Sequence, residues 1–97
     1  MRVAVCRLTL RLHDNRSLKG KRQIVRSLID RIRHRFEVSI AEVGDQDRLK
    51  SARIGIAAVS GDARHATEMM DRVVEYAEAQ LFEADVIDIE RDLIDLD

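Results

Sequence analysis

The chain has 97 residues, of which 45% are apolar and 36% charged, with a formal net charge of −1. That length suits one domain over residues 1–97 with no room for a second core, and the composition argues against a disordered chain. The longest uncharged run, Ile54 to Gly61, has eight residues, far short of the roughly 20 apolar residues of a bilayer span.

Residues 3–12 alternate. Ala4, Cys6, Leu8, Leu10 and Leu12 share one face, while Val3, Val5, Arg7, Thr9 and Arg11 share the other. One apolar face predicts a strand packed on one side. His13 to Arg16 are turn-like, and Ser17 suits a helix N-cap. From Leu18 to Phe36 the apolar period becomes helical. Leu18, Val25, Leu28, Ile29, Ile32 and Phe36 fall within an arc of about 100° at the helical step. Glu37 to Val43 alternates again, and Ser51 to Ser60 reads as a small-residue strand. The polar stretch from Gly44 to Arg48 joins them as a hairpin loop.

Gly61-Asp62 opens a second helix, with Asp62 as N-cap and Ala66, Met69, Met70, Val73, Ala77 and Leu81 as its inner face. Ala84 to Leu96 is rich in β-branched residues. Ile87 and Ile89 share one parity and Ile94 and Leu96 the other, so a bulge or strand end is expected near Arg91 to Leu93. The order β-α-β-β-α-β closes most naturally as the α+β ferredoxin-like fold, an α–β plait. It has a four-stranded antiparallel sheet with two helices on one face.

The small net charge hides a division. Residues 1–36 hold eleven Lys/Arg and two acids, whereas residues 37–97 hold six Lys/Arg and sixteen acids. A split of this kind suits an anionic partner, self-association, or neutralisation of one half by the other across the fold. The basic half concentrates at Arg16-Ser17-Leu18-Lys19-Gly20-Lys21-Arg22, in the first turns of a helix, where the macrodipole favours anions. A helix N-terminus with added Lys/Arg is a ready phosphate site. On the wheel Lys19, Arg22, Arg26 and Arg33 lie within about 60°, forming an edge about 20 Å long beside the apolar stripe.

Arg16, Lys19, Lys21, Arg22, Arg26 and Arg33 are therefore the candidate nucleic-acid contacts. The competing readings are a solvated helix face and a protein partner. Gly20-Lys21 is not a P-loop, because Asn15 and Arg22 stand where that motif needs a glycine and a Ser/Thr.

A second candidate set, Arg7, Arg11 and Arg53, lies on the outer sheet face. Their alternative role is cross-strand pairing with Asp88 and Glu90. The aromatic residues Phe36, Tyr76 and Phe82 all lie in or beside helices. Base stacking on the sheet is thus not expected, and nucleic-acid binding would be electrostatic or shape-directed.

Charge interrupts the N-terminus too early for a signal peptide, and the lone cysteine, Cys6, fits a reducing cytoplasm. Cys6 reads as a small core residue. His13, His34 and His65 show no metal-ligand spacing, Asp45 and Asp47 read as turn formers, and Met69-Met70 reads as core packing. No nucleophile–base–orienter set assembles. The expectation is a non-enzyme with no catalytic residue, metal or cofactor.

Arg16-Ser17-Leu18-Lys19-x-Lys21-Arg22, Ser27 to Arg33, Arg35-Phe36-x-Val38 to Val43, Gln46-Asp47, Gly55-Ile56-Ala57 and Val59-Ser60-x-Asp62 together resemble the small bacterial YlxP-like proteins over nearly the whole chain. The resemblance implies the same ferredoxin-like domain. It implies no activity, since that family has no established function. Its genes often neighbour translation and ribosome-maturation genes, which points toward structured ribosomal RNA or the ribosome as partner. One departure stands in the hairpin, where Leu49 replaces the tryptophan common in relatives. Beside the RNA-binding expectation stands a protein-interaction or homo-oligomeric module using the free sheet face or edges.

Overall fold

The computed structural model describes residues 1–97. It contains β1 (Arg2–Leu12), α1 (Leu18–Arg35), β2 (Ser39–Gly44), β3 (Ser51–Ser60), α2 (Ala63–Gln80) and β4 (Ala84–Asp95). The strands form one open antiparallel sheet in the order β2-β3-β1-β4. This is the ferredoxin-like α+β fold.

The alternation of β1 produces this arrangement directly. Ala4, Cys6, Leu8, Leu10 and Leu12 are all buried, and their partners Ala52, Ile54, Ile56 and Ala58 on β3 complete the same face. Val25, Leu28 and Ile32 of α1 pack onto it, as do Ala66, Met70, Val73, Val74 and Ala77 of α2. Both helices start where expected. Ser17 Oγ accepts from the Gly20 amide at 3.0 Å, and Asp62 Oδ1 from the Arg64 amide at 3.0 Å. Each cap satisfies an amide that the helix itself leaves free.

The irregularity of β4 lies elsewhere than the parity of its apolar residues suggests. Leu10 pairs with Val86 and Thr9 with Asp88, so the extra residue is Ile87, and pairing then runs unbroken to Arg2 opposite Asp95. The change of parity at Ile94 has another cause. Ile94 joins Val3 and Val59 in one row of the outer face, where no helix covers the sheet.

Two features position the candidate sites. First, β2 and β4 are the opposite edges of the sheet, with α1 packed on the β2 side and α2 over β1, β3 and β4. The cation-rich helix and the acid-rich last strand therefore lie on opposite sides, separated by β3 and β1. Second, neither helix is long and apolar enough to cross a membrane.

Candidate nucleic-acid interface

The start of α1 is tied to the β2–β3 hairpin by buried polar contacts. Asn15 is buried and donates Nδ2 to the Ser17 carbonyl at 2.9 Å and to the Leu49 carbonyl at 2.5 Å. Gly20 leaves room for this side chain, since a Cβ there would stand 2.7 Å from Asn15 Oδ1.

One turn on, Lys21 points inward. Its side chain is 1% exposed, its ammonium donates to the Asp45 carbonyl, and Nζ lies 3.2 Å from Glu42 Oε2. Glu42 Oε2 is buried without a hydrogen bond, so charge alone holds it there. Asp45 adopts φ 59°, in the left-handed region that Asp tolerates in turns. Its carboxylate accepts from Ser51 Oγ at 2.6 Å and lies 3.5 Å from Arg53 Nε. The Ser51 hydroxyl and then the neighbouring cations hold that carboxyl below the usual carboxylate range.

Lys21 is therefore removed from the phosphate-contact set. Its cationic type within the basic motif groups it with the surface cations, but it is a core ammonium that fastens helix to hairpin. Arg33 is also partly committed: its Nη2 donates to the Ile40 carbonyl at 2.9 Å, and Nη1 lies 3.9 Å from Asp30 Oδ1. It thus caps the exposed edge of β2, where a free carbonyl would invite another strand.

Arg16, Lys19, Arg22 and Arg26 are exposed and form no ion pair, whereas Arg2, Arg7, Lys21, Arg33, Arg48, Arg53, Arg64 and Arg91 all do. Two further cations join them. Lys19, Arg22, Arg26, Arg31 and Arg35 line a single open groove along the outer side of α1, with His34, one acid (Asp30) and Tyr76 of α2. The Arg35 guanidinium sits 4.9 Å from the Tyr76 ring centroid, and Tyr76 meets Phe36 edge-to-face at 5.6 Å. This stacking fixes the cation without neutralising it.

Arg31 and Arg35 escaped the sequence reading because they lie on the far flank of the wheel. Their signal was density: α1 carries seven Lys/Arg and a single acid, Asp30.

The sheet-face set is largely spent on pairing. Arg7 forms an ion pair with Glu90, whose carboxyl is held below the usual range chiefly by that hydrogen bond. Arg53 turns to Asp45. Arg11 stands opposite Asp85 without an ion pair, since Asp85 accepts from His13 Nε2 at 2.8 Å instead. That bond, first among its causes, raises the His13 pKa.

The remaining titratable groups are dispersed. His34 meets the Asp30 carbonyl at 2.8 Å, and His65 meets Ser60 Oγ at 3.1 Å. Cys6 is buried, and burial pushes its thiol upward against the opposing pull of Arg91.

Over 68 residues the chain is 34% identical to the uncharacterised protein YlxP of Bacillus subtilis (strain 168), covering 70% of this chain and 74% of that relative. A family model described as "Protein of unknown function (DUF503)" matches residues 3–91. The chain belongs to the DUF503 family.

Proposed function

We propose that this protein is a non-catalytic module of the cytoplasm that binds structured RNA, with ribosomal RNA or the ribosome as its partner, through the outer side of α1. One observation carries the reading: Lys19, Arg22, Arg26, Arg31 and Arg35 line one groove and none of them forms an ion pair, although Asp30 lies among them, while the acid-rich β4 lies at the opposite edge of the sheet. Unpaired Lys/Arg along a helix is a poor device for stability, because like charges one turn apart repel. It is an effective one for phosphates, whose neutralisation releases counterions.

The groove runs the length of an 18-residue helix, about 27 Å, enough to follow several phosphates. Titrating a labelled RNA helix with the protein between about 50 and 200 mM salt tests it. The expected log–log slope is about −0.9 per phosphate contacted, so four or five contacts cost roughly a hundredfold or more in affinity. Binding insensitive to salt would contradict the reading.

A second reading is favoured by the outer sheet face. Val3, Val5, Ala57, Val59 and Ile94 form an uncovered apolar patch there, with Val59 60% and Ile94 50% exposed. The flanking cations pair within the chain, Arg7 with Glu90 and Arg53 with Asp45, while Asp92 stands opposite Val5 as an acid without an ion pair that a second copy would meet. Three strands of ten to twelve residues and β2 with six present roughly 600 Å², comparable to one side of a standard interface at about 800 Å². Sedimentation of the wild type and Val59→Asp tests this: a dimer lost in the variant supports it, and a monomer at every concentration opposes it.

A further inference from the structure

We propose that the α1 groove opens along one flank into a pocket for one unpaired RNA base, with Phe82 as its stacking platform; this rests on the RNA-binding reading above. Phe82 follows the C-cap of α2 and is 79% exposed, more than any other large apolar residue of the chain. A phenyl ring so placed contributes nothing to the core, and exposed aromatics of this kind are informative where they adjoin a polar site.

Phe82 lines a cleft of about 310 Å³ between α1 and the α2–β4 connection. Ile24 and Leu28 provide apolar walls, and Gln23 and Gln80 place two carboxamides at the rim. Glu83 adds a carboxylate there.

These are the parts that base recognition requires. A π-face accepts the flat base, carboxamides match the donor–acceptor edges, and a carboxylate can accept from an exocyclic amine. The link to the cationic groove is physical. Gln23, Ser27 and Arg31 line both the groove and the cleft, and Arg31 Nη1 lies 3.5 Å from Gln80 Oε1. A backbone following the Arg22–Arg26 face would pass Arg31 as its base turns toward Phe82. Stacking is not expected on the sheet, which has no aromatics; this geometry assigns stacking to the helical side instead.

The test compares a labelled RNA hairpin with an unpaired purine loop against the fully paired duplex of the same stem. Phe82→Ala should weaken loop binding roughly 5- to 150-fold, the loss of one base–aromatic stack, with duplex binding and the salt slope unchanged. Because the chain has no Trp, Phe82→Trp provides a lone indole reporter, whose emission should be quenched by the loop RNA and not by the duplex.

Equal loop binding by Phe82→Ala and wild type would overturn the proposal. If Arg22→Glu/Arg26→Glu lost both RNAs in that experiment, the cationic reading would survive. Failure of the wild type to bind either RNA would overturn both.

Discussion

Lys21 of α1 and Glu42 of β2 form an ion pair across the helix–sheet boundary, with Nζ 3.2 Å from Oε2 and the lysine side chain 1% exposed. Together with the bond from Lys21 to the Asp45 carbonyl, it locks the hairpin to the first turns of α1. That places Arg22 and Arg26, the next outward-facing cations, on a helix that cannot roll. Lysine is thus used twice in one motif, inward at position 21 for structure and outward at position 19 for charge.

Removing the ammonium alone strands a largely buried carboxylate. Lys21→Met should cost about 2–4 kcal/mol, the lower half reflecting partial solvent access to Glu42. In a domain of this size that lowers Tm by at least about 10 °C. Lys21→Met/Glu42→Leu should recover much of the loss, since replacing both charges leaves none unpaired. Urea denaturation of the two variants checks this. An unchanged midpoint for Lys21→Met would show that the ammonium is not buried in solution.

Gly20 should resist the usual improvement. Glycine to alanine inside a helix commonly gains up to about 1 kcal/mol. Here the added methyl would meet Asn15 Oδ1 at 2.7 Å and Ser17 Oγ at 3.1 Å. Asn15 cannot move away without losing its bonds to the Ser17 and Leu49 carbonyls. Gly20→Ala should therefore destabilise by about 1–2 kcal/mol, read as a lower Tm. A raised Tm would mean that Asn15 yields freely.

The His13–Asp85 pair gives a pH dependence of known sign. Its hydrogen bond raises the His13 pKa above 6.5, so the folded chain holds the proton more tightly than the unfolded chain. The resulting stabilisation is fully present below about pH 6.5 and is lost as pH rises through the folded value. The Tm difference between wild type and Asp85→Asn should be largest near pH 5.5 and shrink above pH 8. NMR titration should show the His13 resonance moving to lower pKa in that variant. A difference independent of pH would contradict the assignment.

Much of this was legible in residue patterns because one-sided burial leaves a period. The alternation of β1 and the apolar arc of α1 lead to the observed sheet and its helical cover. Lys21 was legible too: on the wheel it stands about 20° from both Leu28 and Ile32, inside the buried stripe, and only its chemical type suggested a surface role. The displaced bulge was not legible, since a change of parity records which face offers apolar neighbours. The row Val3–Val59–Ile94 exists only after three strands pair. Arg31 joins Phe82 and Gln80 across some fifty residues of chain; no local window holds that juxtaposition.

The central claim is that unpaired cations on α1 bind RNA, and co-sedimentation with purified ribosomal particles at low and moderate salt tests it most directly. Arg22→Glu/Arg26→Glu alters two exposed residues that make no ion pair, so thermal unfolding should match the wild type. The account predicts that wild type pellets with the particles at low salt, is released as salt rises, and that the folded double variant stays in the supernatant. Equal pelleting of both proteins, or none by the wild type at any salt, would contradict it.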